Sequence, residues 1–454
     1  MSKFSIDEVL ETIEIISEQK LNIRAVTLGI NTLGCASERF EDVADCLYKR
    51  ITKAARAFVE AASYVESKYG VPITNKRVTI SPVYLLLERF SERGDEPAVT
   101  IAKSIDSAAA DAGIDLVGGF SALASKDLSA GARALLRSLP AALRSTEHLC
   151  SSVEVGRTSA GINVDAIVMS AKALKRASYE TNGRAGARFV VLANAPTDVP
   201  FMSGGFHGLG EGDSAVNVAI SAPGVFEAVV KNSRGKSMHA LAEEIKKASF
   251  KVSRAAQLVG SEIAQRIGSR MGSVDLSLAP APKEGESVAQ VLREMGLDDV
   301  GYPGSVAALA LLVDAIKKGG LMGVTFAGGY SGAFIPVSED LEMTRAVMRG
   351  HVNIHTLQAM SSVCSTGLDM VGIPGKTRWE TIASIMLDEI AIGVFTNKTV
   401  GVRLLPIPGA RPGDMLDLGG LYGKVYVMRI PELYDTSFIR RGGRIPPPSF
   451  SYRN

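Results

Sequence analysis

The segments GYPGSVAALALLVDAIKKGGLMG (residues 301–323), VTFAGGYSGAFIPVSED (324–340) and SSVCSTGLDMVGIPG (361–375) decide the fold. In them, apolar patterns of helical length alternate with apolar runs of strand length, and glycine-rich turns separate the two. The short runs are nearly continuous in their apolar character, as in strands that helices cover on both faces. Such alternation is typical of α/β proteins with a parallel or mixed sheet.

The same alternation runs through the rest of the chain. We predict ten strands: Ile23–Ile30, Lys76–Ile80, Ile114–Phe120, Arg188–Pro196, Ala215–Ser221, Ser273–Ala279, Gly332–Val337, Asp369–Pro374, Val400–Ile407 and Gly423–Met428. The helices predicted between them are Phe40–Lys68, Ala98–Ala112, Ser129–Leu139, Val164–Ala177, Ser237–Arg270, Ser287–Met295, Ser305–Lys318, Leu341–Met348 and Trp379–Ile392. Another helix is expected to begin at the capping box Ser5–Glu8.

Because open sheets of about ten twisted strands are unfavourable, we expect this sheet to close. The sequence therefore predicts a single large ten-stranded α/β barrel domain over residues 1–435. An extended C-terminal tail rich in Arg and Pro is predicted over residues 436–454.

Composition excludes several classes of function. Of the 454 residues, 46% are hydrophobic and 22% charged, and 50 basic against 48 acidic side chains give a net charge of +2. Since these charges are well mixed, no basic face is available for nucleic acid. The start, MSKFSIDEVLETIEIISEQ, lacks a signal-peptide pattern, and no apolar run reaches the roughly 18 residues of a membrane span. We therefore expect a cytoplasmic protein that binds neither nucleic acid nor a membrane.

The spacing of the cysteines indicates neither a metal site nor a disulfide framework. Cys35, Cys46, Cys150 and Cys364 are far apart and are predicted to be reduced thiols. Cys364 follows a helical pattern and precedes a strand, so it could be a nucleophile, with Asp369 orienting a partner base, a radical-carrying sulfur, or a small buried hydrophobic residue. Cys35, in the loop after the first strand, is the second candidate.

The segment FMSGGFHGLGEGD (residues 201–213) places His207 and Glu211 in a glycine-rich loop after a strand. The two residues could form a general acid/base pair or a substrate clamp. Alternatively, the glycines only permit turns and His207 is solvated. Gly208 and Gly210 leave a dinucleotide-binding fingerprint incomplete.

A second glycine-rich turn is a candidate anion-binding site. The backbone N–H groups around Gly329, Ser331 and Gly332 could hold an anionic ligand, and Ser338 is expected to cap the helix that follows. A metal ion would need further oxygen ligands, for example from Asp275, and spacing alone does not supply them, so no metal site is predicted.

Ligand sites in α/β folds lie at strand ends. We therefore expect Cys35, His207, Ser331 and Cys364 to gather at one mouth of the barrel. Asp275 completes the predicted substrate-binding set, which comprises Gly329, Ser331, Gly332, Ser338, Asp275 and Cys35.

Segments spread over the whole chain resemble one family. They are LNIRAVTLGINTLGC, VGGFSAL, CSSVEVGRTSAGIN, PFMSGGFHGLGEGD, VDLSLAPAPKEGESVAQVLREMG, GYPGSVAALALLVDAIKKGG, SGAFIPVSED, CSTGLDMVGIPG and NKTVGVRLLPIPG. The family is the domain of unknown function seven-hundred-eleven group, also called uncharacterised protein family two-hundred-ten, and the resemblance extends from about Ser5 to about Leu433. It implies a ten-stranded α/β barrel similar to those of ribonucleotide reductases and pyruvate formate-lyase, an unassigned activity, and a link to ACT-domain proteins in amino-acid-linked regulation.

The proteins with that barrel carry a reactive cysteine on a loop inside it, and by loop context the resemblance assigns this place to Cys364. Glycyl-radical members also carry an Arg-x-x-Gly-Tyr signature near the C-terminus. Here the Gly-Tyr pairs are Gly301-Tyr302 and Gly329-Tyr330, far from the end of the chain. We therefore expect no radical chemistry, because a shared fold does not carry shared chemistry.

Two functions remain open. The first is a non-radical enzyme that acts on a small polar or anionic metabolite at the barrel mouth, with Cys364, His207, Glu211 and Asp369 as catalytic residues. The second is a catalytically silent ligand-binding or regulatory protein that works with an ACT-domain partner. The sequence identifies no cofactor. A homodimer is expected, with the tail either solvated or docked on the second subunit.

Overall fold

The computed structural model describes residues 21–451, so the helix predicted at Ser5–Glu8 lies outside the described residues. The strands are β1 (Asn22–Ile30), β2 (Lys76–Ile80), β3 (Leu116–Leu123), β4 (Leu149–Arg157), β5 (Gly161–Asn163), β6 (Phe189–Ala193), β7 (Ser214–Ser221), β8 (Arg270–Asp275), β9 (Ala327–Gly328), β10 (Gly367–Pro374), β11 (Val400–Ile407), β12 (Met415–Gly419), β13 (Gly423–Tyr426) and β14 (Arg444–Ile445). The α-helices are α1 (Phe40–Tyr69), α2 (Tyr84–Leu87), α3 (Glu96–Asp111), α4 (Ala130–Arg144), α5 (Val164–Glu180), α6 (Pro223–Lys231), α7 (Met238–Arg266), α8 (Val288–Glu294), α9 (Ser305–Gly323), α10 (Leu341–Met348), α11 (Ile354–Ser361), α12 (Trp379–Phe395) and α13 (Ser437–Arg440).

One large sheet organises the chain. Its main path has the strand order β10-β11-β6-β4-β3-β2-β1-β7-β8-β9. Neighbouring strands are parallel from β6 to β1, from β7 to β9, and between β10 and β11. These groups meet in two antiparallel pairs, β1 with β7 and β11 with β6. The predicted α/β class, with a large sheet of mixed strand direction, is confirmed.

The predicted strand Gly332–Val337 is an irregular extended segment that links the two ends of this path. On one side, the N–H groups of Leu278 and Phe334 donate to the carbonyl oxygens of Gly332 and Leu278, at 2.8 and 3.0 Å. On the other side, the N–H group of Ser365 donates to the Ala333 carbonyl oxygen at 3.0 Å. Ser331 and Gly332 have φ values of +30° and +136°, which interrupt regular strand pairing just before the segment.

The strand β4 was missed by the sequence analysis, although it lies inside the sheet between β3 and β6. Its sequence, LCSSVEVGR, carries polar residues that mask the apolar pattern of a buried strand. The structure satisfies them locally: Ser151 Oγ donates to the Phe120 carbonyl oxygen at 2.6 Å, and the hydroxyls of Ser152 and Ser121 are 2.7 Å apart. Predicted strand Gly423–Met428 contains β13, which pairs with β12 in a separate two-stranded sheet.

Helices cover the sheet, and one pair shows how closely they pack. Gly319 and Gly323 of α9 face the backbone of α7, where a Cβ atom would lie 2.0 Å from the Lys246 carbonyl oxygen and 2.7 Å from that of Phe250. Only glycine permits this approach. None of the helices in residues 21–451 combines the length and the apolar character needed to cross a bilayer.

The C-terminal segment, predicted to be an extended tail, is docked on the same chain through residue 451. The strand β14 pairs with β5, and the Gly443 N–H donates to Asp165 at 3.0 Å. Two cations lie over the ring of Trp379, with Lys172 Nζ 4.4 Å and Arg440 Cζ 5.4 Å from its centroid. The C-terminal segment therefore packs on its own domain through residue 451 rather than extending freely into solvent.

Candidate functional site

The loop that joins β6 to β7, residues 194–213, runs through the interior of the sheet and is called the interior loop below. Its residues 201–208 are all buried. The His207 N–H donates to the Ile80 carbonyl oxygen at 2.9 Å, and Thr27 Oγ1 donates to that of Pro200 at 2.7 Å. On β3, a Cβ atom at Gly118 would lie 2.4 Å from the Gly205 carbonyl oxygen. The loop thus contacts β1, β2 and β3 from the side that faces away from the helices.

Beside the interior loop lies a cavity of about 350 Å³, called the arginine cavity below. Three strands each contribute an arginine, the interior loop contributes Phe201 and Met202, and the segment around β12 and β13 closes one side. The lining residues that the argument uses are Arg24, Arg77, Phe201, Phe334, Glu339, Arg403 and Tyr422.

A buried ion-pair network forms one wall of the arginine cavity. Arg403 on β11 binds Asp369 on β10 through two hydrogen bonds, at 2.5 and 2.8 Å, and binds Glu339 Oε1 at 3.0 Å. The other oxygen of Glu339 accepts from Arg24 Nη2 at 2.9 Å. All four side chains are less than 10% exposed, so their charges are little screened by water.

The shared partner of Arg24 and Arg403 shows that the sheet curves. Arg24 lies on β1 and Arg403 on β11, which are five positions apart in the strand order. In a flat sheet these strands would be about 24 Å apart. Because both arginines bind the carboxylate of Glu339, the sheet must curve around the cavity.

Arg77 has a different environment from the other two arginines. It lies on β2 with 4% of its surface exposed, and its guanidinium donates to Asn75 Oδ1 at 2.9 and 3.2 Å and to the Pro200 carbonyl oxygen at 3.4 Å. Within residues 21–451 it forms no ion pair. Burial, reinforced by the positive charge of Arg24, lowers the pKa of Arg77 to about 10, so the group is still charged at neutral pH.

Two proton-bearing groups lie close to these arginines. Burial raises the pKa of the Cys150 thiol on β4, and the charge of Arg188 and a hydrogen bond with Ser203 of the interior loop offset that effect only partly. Burial likewise raises the pKa of the Tyr422 hydroxyl. Both groups therefore keep their proton at neutral pH.

A second cavity, of about 430 Å³, lies where the sheet is interrupted between β9 and β10, and we call it the lysine pocket. It brings together three of the predicted site residues, Gly329, Ser331 and Cys364, with two lysines that the sequence analysis did not single out. Its lining comprises Leu276, Lys317, Leu321, Ala327, Gly328, Gly329, Tyr330, Ser331, Cys364, Ser365, Asn397, Lys398 and Thr399.

The amides expected to hold a ligand bind the protein's own carboxylates. The N–H groups of Tyr330 and Ser331 donate to Asp275 at 2.6 and 3.0 Å, and that of Gly329 donates to Asp198 at 3.3 Å. Burial raises the pKa of Asp275 to about 6, against the effect of these hydrogen bonds. The expectation that this turn presents free N–H groups is therefore corrected, because Asp275 already occupies the anion position. Gly332, beside the turn, packs against Ser365 and Val313.

Cys364 is a buried residue that braces the backbone. The side chain is 0% exposed, its sulfur accepts from the Gly367 N–H at 3.1 Å, and the thiol lies 3.6 Å from the Ser361 carbonyl oxygen. Lys398 Nζ is 4.0 Å from the sulfur.

His207 and Glu211 do not bond to each other. His207 Nε2 donates to the Gly212 carbonyl oxygen at 2.8 Å, and burial lowers the pKa of the ring. Glu211 accepts from Thr197 Oγ1 at 2.6 Å and pairs with Arg270. His207 is buried rather than solvated, and both residues hold the ends of the interior loop in place.

Two further expectations need correction. The N-cap of α10 is Asp340, whose carboxylate accepts from the N–H groups of Glu342 and Met343, whereas Ser338 Oγ donates to the Tyr422 carbonyl oxygen at 2.7 Å. Cys35 and Cys46 form a disulfide, so they are not the reduced thiols that their spacing suggested. The 3₁₀ turn at Leu33–Cys35 brings Cys35 back to the start of α1, a contact that spacing alone does not reveal.

The predicted site residues thus divide among separate places. Asp369 lies in the ion-pair network, Ser331 and Cys364 line the lysine pocket, His207 lies beside Gly29 near the end of β1, and Cys35 lies in the disulfide. They do not form the single cluster that we expected. Among residues 21–451, no group of three or more His, Cys, Asp or Glu side chains is arranged to hold a metal ion.

The residues that the sequence analysis missed are the three arginines of the cavity. Arg24 and Arg403 are each the single charge inside an otherwise apolar strand segment, IRAVTLGI and VGVRLLPI, whereas Arg77 follows Lys76 at the start of KRVTI. A lone charge in a buried strand needs a partner or a ligand. That signal was present in the sequence.

Comparisons with known proteins agree with this fold. The family described as Uncharacterised ACR (DUF711) matches residues 14–419. The chain is 47% identical to the UPF0210 protein of Halothermothrix orenii over 450 residues, 98% of this chain and 99% of that protein. It is 45% identical to the UPF0210 protein of Methanocaldococcus jannaschii over 451 residues, 98% of each chain.

Among solved structures, the anaerobic ribonucleotide reductase from Thermotoga maritima, in complex with dATP and CTP, is similar with a TM-score of 0.51. The match covers 88% of this chain and 79% of that chain at 8% sequence identity. At this identity the similarity concerns the fold alone.

Proposed function

The chain belongs to the DUF711 family, and we propose that it is an enzyme that binds a small anionic metabolite in the arginine cavity and acts on it without radical chemistry. The proposal rests on the charges inside the cavity rather than on the likeness to ribonucleotide reductase. It keeps the substrate class expected from the sequence, a small polar or anionic molecule, and moves the site to the three arginines.

The unpaired guanidinium of Arg77 is the observation that carries the proposal. Burying a charge without a partner costs several kcal/mol, so a folded protein retains one where something else supplies the opposite charge. Asn75 and Pro200 provide only neutral oxygens. The planar guanidinium group is suited to binding a carboxylate or a phosphate through two hydrogen bonds.

The charged side chains of the cavity also restrict the net charge of the ligand. The buried guanidinium groups of Arg24, Arg77 and Arg403 face the two buried carboxylates of Glu339 and Asp369, so the buried groups alone leave one positive charge in excess. The carboxylate of Asp115, which also lines the cavity, is exposed to solvent. A ligand with one or two negative charges would balance it. Phe201 and Phe334, whose ring centroids are 4.5 Å apart, form an apolar wall for the carbon skeleton of such a ligand.

Tyr422 is our candidate for the proton donor. Its hydroxyl keeps its proton at neutral pH, and its ring lines the same cavity as the arginines. Asp369 and Glu339 are committed to Arg24 and Arg403, so we assign them a positioning role. Cys364, His207 and Glu211 lie elsewhere and are no longer assigned to catalysis.

A ligand-binding protein without turnover, working with an ACT-domain partner, is the second candidate. One observation favours it: both buried carboxylates of the cavity are held in ion pairs, which limits their use as bases. Binding and turnover must therefore be measured separately.

The binding test compares thermal unfolding of the wild-type chain in phosphate, succinate and chloride at equal ionic strength. Phosphate or succinate should raise Tm above the chloride value, because ligands that bind only the native state stabilise it. Arg77→Met should lose the increase that succinate produces. Arg188→Met is the matched control, since Arg188 is also buried but is held by backbone carbonyl oxygens, as at 2.8 Å to Thr146.

Turnover is tested by following a mixture of small carboxylates and phosphate esters by NMR. Loss of a compound with wild type, and not with Tyr422→Phe, supports the enzyme. Binding without any turnover supports the silent ligand-binding protein. A wild-type Tm that is the same in all three salts would overturn both.

A further inference from the structure

We propose that the lysine pocket is a second binding site, separate from the arginine cavity, and that its ligand is a small phosphate monoester. The pocket opens where Gly329, Ser331 and Gly332 interrupt the sheet between β9 and β10. A break in the strand pairing leaves a gap in the wall of the sheet, through which a side chain from the outer helix α9 reaches the pocket.

That side chain is Lys317. It begins on α9, and its Cε lies 3.6 Å from the position of a Cβ atom at Gly332. The side chain is exposed along much of its length, but partial burial of its ammonium group, together with the charge of Lys398, lowers its pKa. Within residues 21–451 it forms no ion pair, whereas its neighbour Lys318 pairs with Asp314 at 2.6 Å.

Lys398 brings a second positive charge to the same pocket. It is half-buried just before β11, and the only polar contact described for its ammonium group is the Cys364 sulfur at 4.0 Å. Glu389 acts on Lys398 electrostatically but forms no ion pair with it, and burial raises the pKa of this carboxyl to about 7. The charge of Lys398 is therefore not neutralised by a direct partner in the described chain.

No acidic side chain lines the pocket to balance these two lysines. The carboxylate of Asp275 accepts hydrogen bonds from the N–H groups of Tyr330 and Ser331, so it is directed at the turn and not at the lysines. Two ammonium groups that repel each other across a cavity are stabilised by an anion placed between them. A phosphate group carries close to two negative charges at neutral pH.

The dimensions favour an ester over free phosphate. The pocket of about 430 Å³ is larger than a phosphate ion requires, and Leu276, Leu321 and Ala327 provide apolar surface beyond the lysines. Along the wall, the Thr399 hydroxyl donates to the Asn194 carbonyl oxygen at 2.9 Å and can still accept, and the Ser365 hydroxyl accepts from Ser277 at 3.4 Å and can still donate to a polar organic group. None of the residues that line this pocket also lines the arginine cavity.

Pyridoxal 5′-phosphate is a suitable chemical probe, because it joins a phosphate monoester to an aldehyde. The neutral amine of a lysine adds to the aldehyde, water leaves, and borohydride reduces the resulting imine to a stable secondary amine. Peptide mass spectrometry then identifies the labelled lysine. A lysine with a lowered pKa reacts faster, and the pocket should hold the phosphate beside Lys317, so Lys317 should be labelled more than Lys318, the control on the same helix.

Three comparisons test the phosphate dependence. Pyridoxal without its phosphate should label Lys317 far less, excess glycerol 3-phosphate should protect it, and Lys398→Met should reduce the labelling about tenfold. Arg77→Met should leave the labelling unchanged, which separates this site from the arginine cavity. Equal labelling of Lys317 and Lys318, or equal labelling by both aldehydes, would overturn the proposal.

Thermal unfolding gives an independent measurement. In the Arg77→Met background, glycerol 3-phosphate should still raise Tm above a chloride control, and Lys317→Met with Lys398→Met should remove that increase. Since both lysines are at least partly exposed, these variants are expected to fold. No increase in the Arg77→Met background contradicts the second site and leaves the arginine cavity untouched.

Discussion

Arg403 and Asp369 bind each other across neighbouring strands, with Nε 2.5 Å from Oδ1 and Nη2 2.8 Å from Oδ2. Burial opposes the charge on Arg403, but Asp369 and Glu339 outweigh it and raise the pKa of the guanidinium above its ordinary value. Removing one member of such a network leaves the others buried without a partner.

Replacing Arg403 should therefore destabilise the fold strongly. In Arg403→Met, Asp369 loses its ion pair and Glu339 retains only Arg24. We expect the free energy of unfolding to fall by about 3–5 kcal/mol, the usual cost of an orphaned buried charge. Urea denaturation followed by circular dichroism measures it. A loss below about 1 kcal/mol would contradict the network as described.

Arg77→Met should have the opposite effect on stability. Arg77 has no carboxylate partner, so the substitution removes a buried charge and leaves no other charge orphaned. Without added anions, we expect the free energy of unfolding to be unchanged or higher by about 1 kcal/mol. Such a gain is common when a functional group is replaced by an apolar one. A clear loss of stability in chloride buffer would mean that Arg77 has a structural role.

The raised pKa of Glu389 predicts how the free energy of unfolding depends on pH. It is fully buried on α12, neither of its oxygens has a well-aligned hydrogen-bond partner among residues 21–451, and burial raises its pKa from 4.5 to about 7. The unfolded chain releases this proton near pH 4.5, whereas the folded chain keeps it until about pH 7. The contribution of Glu389 to the free energy of unfolding is therefore at its maximum below pH 4.5 and is lost as the pH rises through about 7.

Glu389→Gln should remove this loss. At pH 8 the variant should be more stable than wild type, by on the order of 3 kcal/mol, and the difference should shrink towards pH 4. Urea denaturation at several pH values measures it. The exposed Glu38→Gln is a control that should leave the pH profile unchanged. Parallel profiles for wild type and Glu389→Gln would refute the prediction.

Substitutions of Cys364 test its bracing role. The serine hydroxyl can accept from the Gly367 N–H and donate to the Ser361 carbonyl oxygen, as the thiol does, whereas alanine leaves both groups unsatisfied. We therefore expect Cys364→Ala to lose about 1–3 kcal/mol and Cys364→Ser to lose less. Rapid alkylation of native Cys364 by iodoacetamide, or loss of all turnover in a folded serine variant, would restore the nucleophile hypothesis.

Counting thiols tests the Cys35–Cys46 disulfide. Denatured chain without reductant should react with two equivalents of a thiol reagent, from Cys150 and Cys364. After reduction it should react with four, the cysteine content of the sequence. Four equivalents without reductant, in protein purified without thiols, would show that the two cysteines are reduced.

The alternation of strands and helices could be predicted from the sequence because most strands are apolar over nearly their whole length. The bounds of β2, β11 and α10 agree with their predictions residue for residue. The strand β4 was not readable, because Ser151, Ser152 and Glu154 resemble a loop until their partners are known. The irregular segment 332–337 has the composition of a strand, and only its hydrogen bonds to both ends of the sheet show its real form.

The candidate site was harder to predict than the fold. The motifs that drew attention were glycine-rich turns, and in the structure the amides of one such turn bind Asp275. Arg24 and Arg403 meet at Glu339 only because the sheet curves, a relationship between residues 315 and 64 positions away from Glu339 in sequence. No local pattern encodes that distance. Arg24 and Arg403, each the lone charge of an apolar strand, were the clue that the sequence did contain.

The position of Trp379 gives the protein a built-in optical reporter. It is the only tryptophan in the chain, and one of the two cations over its ring, Arg440, belongs to the docked C-terminal segment. Intrinsic fluorescence excited at the tryptophan band therefore reports from a single place, the contact between that segment and α12. Detachment of the segment can be timed by stopped-flow emission without any added dye, independently of the unfolding of the sheet.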